Sequence, residues 1–124
     1  MKSIDIQDLT RWLEAYGRAW QERDPAAAQA LFSEDARYWE TPYAEPFEGR
    51  GGVGEYWARV TADQDGVDFD YEVLAVAGVK GMARWSARFR SISGDVPVEL
   101  DGVFVLEFSD ADHVGSLREW WHAR

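Results

Sequence analysis

The feature that most constrains this chain is a change of hydrophobic period part-way along it. Through the first half, apolar residues recur at helical spacing; in the second half they alternate. Ile6, Leu9, Trp12, Leu13, Tyr16 and Trp20 fall on one face of a helix predicted over residues 5–22, with Glu14, Arg18 and Gln21 elsewhere. Asp5 suits the N-cap, and Asp8 stands three residues on, at capping-box spacing. Over residues 67–73, Val67, Phe69, Tyr71 and Val73 alternate with acids. Over residues 83–89, Ala83, Trp85, Ala87 and Phe89 alternate with Arg84, Ser86 and Arg88. A period of two with one wet face is the pattern of an antiparallel sheet. Helices first and strands afterwards predict an α+β domain, not alternating α/β units. A chain of 124 residues supports one core, so a single domain is expected over 1–124.

Local signals fill in the rest. Asp24 can cap a second helix, Pro25 suits its first turn, and the alanines that follow favour helix through Phe32. A short strand is predicted over 36–41, ended by Pro42, with a proline-bounded loop over 42–46. A third helix should follow Gly51, burying Val53, Tyr56, Trp57 and Val60. Glycine-bearing turns at 78–81 and 93–95 separate the later strands. A long strand over 98–108 and a last one over 113–121 complete the set.

Seven Trp, five Tyr and six Phe make 15% of the chain. That is more ring surface than a simple core of this size needs, so some rings should line a cavity or a subunit interface. The net charge of −10 repels phosphate backbones and anionic lipid, which argues against nucleic-acid and membrane-surface roles. The longest apolar runs, such as residues 103–106, are too short to span a bilayer. Residues 1–5 turn polar at once and carry no signal-peptide core, so a cytoplasmic location is expected. There is no Cys, hence no disulfide, thiol nucleophile or thiolate metal site. His113 and His122 have no carboxylate at ligand spacing, so no metal is expected. No Ser stands in a nucleophile elbow, and the glycines of 49–54 lack the lysine of a phosphate loop. The expectation is a protein that works without a cofactor.

The stretch Tyr16-Gly17-Arg18-Ala19-Trp20-Gln21-Glu22-Arg23-Asp24 and the following Ala30-Leu31-Phe32-Ser33-Glu34-Asp35-Ala36 resemble the opening of the NTF2-like superfamily. So do the turn Glu48-Gly49-Arg50 and the ending that pairs residues 101–108 with Leu117-Arg118-Glu119-Trp120-Trp121. Within that superfamily the chain most resembles the SnoaL-like branch, and more distantly the ketosteroid isomerases. The resemblance covers nearly the whole chain. It implies a cone: three N-terminal helices packed on a curved, mainly antiparallel sheet, with a pocket at the wide end. Such cones host isomerases, cyclases, epoxide hydrolases, dehydratases and pure binding modules, so the fold alone does not choose a chemistry.

The resemblance also nominates residues. Tyr16 falls where the isomerases carry a tyrosine that donates to the developing oxyanion; alternatively it belongs to the core stripe of the first helix. Glu40, counted from Asp35-Ala36, falls where they carry an Asp base. Counted back from Pro42, Thr41 takes that place instead. A carboxylate in an apolar pocket has a raised pKa, which suits proton transfer near neutral pH. Asp101 would stand for their late-strand acid. Strict alternation sets it opposite Leu100, Phe104 and Leu106, and only a bulge near Gly102 would turn it inward; aligned from Phe108-Ser109, the position is Phe104. Glu119 alternates with Leu117 and Trp121 and can enter the same interior, although an ion pair with Arg88 or Arg118 on the sheet surface is the simpler reading. Trp12, Trp20, Tyr38, Trp57, Trp85, Phe104 and Trp121 would form core and wall around a small, largely apolar ligand. Three functions follow. One is a cofactor-free enzyme that isomerises, cyclises or dehydrates a cyclic apolar carbonyl compound through an enol or enolate. Another is a binding module without chemistry. The third, compatible with either, is a homodimer through the outer sheet face, where Val103 and Val105 need cover.

Overall fold

The computed structural model describes residues 3–124. Met1 and Lys2, part of the N-terminal stretch read above as lacking a signal-peptide core, lie outside them. The elements are α1 (Ile6–Gln21), α2 (Pro25–Gln29), β1 (Phe32–Trp39), β2 (Phe47–Glu48), α3 (Gly49–Thr61), β3 (Gln64–Ala77), β4 (Lys80–Ser91), β5 (Val96–Phe108) and β6 (Val114–Ala123).

The capping box forms as its spacing predicts. The Asp8 amide donates to Asp5 Oδ1 at 2.8 Å, and the Asp5 amide donates to Asp8 Oδ2 at 3.0 Å. Two of the amide donors that open a helix are thereby satisfied. Leu9, Trp12, Leu13, Tyr16 and Trp20 are buried as the stripe requires; Ile6, at the helix start, is 61% exposed. Helix α2 is shorter than its alanines suggest. It stops at Gln29, and Phe32 opens a strand instead of closing the helix. The propensity of alanine is worth a few tenths of a kcal/mol per residue, less than the burial of the whole Phe32 side chain in the core. The two-residue strand β2 carries no signal in the sequence; it pairs with β1 and leads straight into α3. Helix α3 begins at Gly49, three residues before the expected start, where φ of +75° favours glycine.

One six-stranded sheet runs in the order β2-β1-β6-β5-β4-β3. Every pairing is antiparallel except β1 with β6, which is parallel. The last strand in sequence is therefore an interior strand, wedged between β1 and β5. Its inner face carries Leu117, Glu119 and Trp121; the neighbouring β5 face carries Phe104, Leu106 and Phe108. Small residues on β4 let α1 approach the sheet: Gly81, Ala83 and Ala87 are all buried, and a Cβ on Gly81 would stand 2.9 Å from the Leu9 methyls. The buried rings around Tyr16 form one connected cluster. Tyr16 stacks on Trp12 at 5.1 Å between centroids and meets Trp57 and Phe104 edge-on, each at 5.3 Å. Among the described residues no helix is long and apolar enough to cross a membrane.

Candidate active site

Beneath the helices the inner sheet face leaves a cavity of about 150 Å³. Tyr16 of α1, Tyr38 of β1, Tyr56 and Trp57 of α3, Trp85 of β4 and Glu119 and Trp121 of β6 border it, together with Trp20, Glu40, Val60, Gln64 and Leu100. Glu40, Val60, Leu100 and Trp121 are the partly exposed members and form its mouth.

Its polar end is a chain of hydroxyls ending on a carboxyl group. The Tyr16 and Tyr38 hydroxyls lie 3.2 Å apart, and the Tyr38 hydroxyl donates to Glu119 Oε1 at 3.3 Å. The parallel pairing sets this up: Tyr38 of β1 stands opposite Leu117 of β6, two residues from Glu119 on the same face. Glu119 is only 5% exposed and, among the described residues, has no cationic partner. Burial pushes its carboxyl well above the usual Glu range; the Tyr38 bond opposes this in part, and the negative charge of Glu40 adds to it. Burial, and next the charge of Glu119, hold the Tyr16, Tyr38 and Tyr56 phenols well above their ordinary value. All three stay neutral donors. Glu40 lies just past the end of β1, with its carboxylate facing the Tyr56 hydroxyl. The Trp121 indole donates to the Glu40 backbone carbonyl at 3.0 Å and holds it at the mouth.

Glu119 makes no surface ion pair, which corrects the simpler sequence reading. Alternation set its face, but Arg118 turns the other way and stacks over Trp39, its guanidinium carbon 3.9 Å from the ring centroid. Asp101 is corrected too. It is exposed on the outer face and pairs with Arg84, at 3.1 Å to Nε and 2.6 Å to Nη2. The β4–β5 ladder runs without a bulge from Lys80 to Ser91, so nothing turns Asp101 inward. The Arg84 hydrogen bonds hold its carboxyl below the usual range. Trp12 and Phe104 are buried behind the wall and do not border the cavity. Tyr56 and Gln64 were not singled out from the sequence. Tyr56 lies on the helical face already expected to be buried; Gln64 carries no local signal at all.

A larger open groove of about 520 Å³ lies outside, flanked by Asp68, Arg88, Glu99 and Arg124. Two of its acids are paired with arginines, Arg124 to Glu99 at 2.9 Å and Arg88 to Asp68 at 3.6 Å. It lacks the buried, convergent polar groups of the inner cavity. Among the described residues no three His, Cys, Asp or Glu side chains group so as to hold a metal ion.

Fold and site together define a class: a small helix-capped cone enclosing a pocket where buried acid and phenol groups meet aromatic walls. The SnoaL-like domain family matches residues 13–114, and the chain belongs to that family. The fold is the NTF2-like cone. Among curated relatives, a steroid Δ-isomerase of Nocardioides simplex is 29% identical over 113 residues, covering 91% of this chain and 85% of that one. Among solved structures, the epoxide hydrolase/cyclase-like enzyme SalBIII of salinomycin pyran-ring formation superposes with a TM-score of 0.82 at 21% identity, covering 95% of this chain and 93% of that one. A Mycobacterium tuberculosis protein solved with estradiol-17β-hemisuccinate gives 0.78 at 16% identity, covering 93% and 94%. At such identities these structures share the fold.

Proposed function

We propose that this protein is a cofactor-free enzyme of acid–base chemistry, acting on a cyclic, largely apolar carbonyl compound through an enol or enolate. The observation that carries the reading is Glu119: a carboxyl group buried without a cation, hydrogen-bonded into a tyrosine pair, in the same cavity that Glu40 borders. A buried carboxyl in that setting keeps its proton and can donate. Counting hydrogens shows what the chain offers. Tyr16, Tyr38 and protonated Glu119 hold three O–H groups, and the two internal hydrogen bonds consume two. One O–H is left over. It sits on Glu119 when the chain runs towards the carboxyl, and on Tyr16 when the chain runs the other way. Either end meets a developing oxyanion with a donor already in place. Glu40, at the mouth, takes the proton from the α-carbon and returns it elsewhere on the substrate.

The cavity suits one ring. Its 150 Å³ matches a void known to hold benzene, so a larger substrate would leave the remainder of its skeleton at the mouth. Isomerisation, cyclisation and dehydration all begin with this proton abstraction. The similarity to a steroid Δ-isomerase supports the first of them. Heavy-water incubation with a panel of cyclic ketones and enones tests the reading, with mass gain at the α-carbon as the signal. Exchange should occur with the native protein and be abolished in Glu40→Gln, while binding stays nearly intact. Exchange that persists in Glu40→Gln would sink the assignment of Glu40. Tight binding with no exchange across the panel would make this a binding module instead.

We also propose a cytoplasmic homodimer joined through the outer sheet face. That face carries Val103 and Val105, both half-buried, beside Trp120, which is 45% exposed. Equilibrium sedimentation should show twice the chain mass of 14.1 kDa; a monomer at all concentrations would refute it.

A further inference from the structure

Gln64 opens β3, and its side chain is 5% exposed. Two bonds hold it rigidly. The Trp20 indole donates to its Oε1 at 2.6 Å, and Arg23 Nη1 donates to its backbone carbonyl at 2.8 Å. An indole N–H is a donor only, so the amide oxygen must face Trp20. The amide nitrogen is then the free end of the side chain, and the residue borders the cavity. Among the described residues, Nε2 has no acceptor. Nε2 is not one of the fully buried unpartnered atoms, so it keeps some accessible surface through which an acceptor can reach it.

Among the described residues, the fully buried side-chain polar atoms without a partner are the indole nitrogens of Trp57 and Trp85. Both residues border this same cavity. Those two nitrogens have no accessible surface, so they are closed to a ligand, unlike Gln64 Nε2. The Glu119 end sits on β6 and Gln64 on β3, with β5 and β4 between them.

We propose that Gln64 is a specificity-determining residue: its amide N–H donates to a second oxygen of the ligand, distant from the carbonyl that meets Tyr16, Tyr38 and Glu119. The ligand class is then a ring compound with acceptor oxygens at both ends. This rests on the reading that the cavity takes a cyclic carbonyl compound.

The test is a cycle of two ligands against two proteins. The ligands are 4-acetylcyclohexanone and 4-ethylcyclohexanone, near-isosteres that differ by the distal carbonyl. The proteins are the native chain and Gln64→Leu, with affinity read by NMR titration. One neutral hydrogen bond to a fixed donor gives a preference on the order of tenfold for the acetyl compound in the native protein. In Gln64→Leu the preference should vanish or reverse, since the ethyl group is the more apolar. If Gln64 only braces Trp20, both ligands weaken equally and the ratio survives, which overturns the inference. Equal binding of the two ketones by the native protein also overturns it, and needs no variant to fold. If neither ketone binds the native protein, the carbonyl reading itself fails and this one with it.

Discussion

Glutamine at position 119 copies the shape of the protonated carboxyl and cannot ionise. In the native chain burial raises the Glu119 pKa well above its ordinary value of 4.5. The folded protein then keeps a proton that the unfolded chain has already released. Stability from this group is full below pH 4.5, falls as pH rises, and levels off once the folded pKa is passed. The slope in that window is about 1.4 kcal/mol per pH unit for a single group. Glu119→Gln lacks this loss, and every other titration is common to both proteins. Subtracting the two stabilities isolates the one carboxyl. Urea unfolding followed by tryptophan fluorescence, at half-unit steps from pH 5 upwards, should show the native protein losing ground to the variant at that slope. A difference that stays constant across the range would mean that Glu119 ionises normally in the folded protein, and the case for a buried acid would fall. Catalysis gives a second readout. The amide still accepts from Tyr38 and still has N–H to offer, so Glu119→Gln should keep α-exchange within about tenfold, whereas Glu119→Leu should lose on the order of a hundredfold or more. If the glutamine variant were as inactive as the leucine one, Glu119 would act as an ionised base and not as a donor.

Other outcomes follow from the same geometry. Tyr16→Phe removes one end of the hydroxyl chain and should lower the exchange rate on the order of a hundredfold with little change in ketone affinity; an unchanged rate would return Tyr16 to the core. Asp101→Asn should leave exchange and melting temperature unaltered, because the Arg84 pair is exposed on the far face of the sheet; a large loss of exchange would reopen its catalytic role. Gly102→Ala would drive a Cβ into the Trp120 carbonyl oxygen and to 2.9 Å from Trp121 Cβ, so urea unfolding should show a loss of about 2 kcal/mol or more. Full stability in that variant would mean the β5–β6 ladder can shift.

Much of the sheet was legible because alternation is a strict rule. Trp85 and Ala83 face inward and Arg84 outward as their period demands, and Asp101 faced outward for the same reason. The α1 stripe was equally clear, down to its capping box. Where the reading slipped, a weak local preference met a stronger distant one. Alanine propensity extended α2 to Phe32, but the core took Phe32 into β1. The site was less legible than the fold. Alternation could place Glu119 on the inner face, yet the choice between ion pair and buried acid depended on a tyrosine 81 positions earlier in the chain. Gln64 had nothing to mark it, since its significance comes from the Trp20 indole, 44 positions away. Such partners are set by topology, and topology is what local patterns do not encode.

The interior placement of β6 ties two properties together that are often separable. Without that strand, β1 and β2 lose their hydrogen-bonded link to β5, β4 and β3, so the sheet falls into two pieces. The same strand carries Glu119, and its pairing with β1 brings Tyr38 to it. A chain cut before Val114 is thus neither a smaller stable domain nor a domain with half a site. Structure and chemistry would switch on in one event, and a peptide of residues 114–124 supplied separately would have to restore both at once. That makes this fold a natural candidate for a split reporter whose signal cannot precede its assembly.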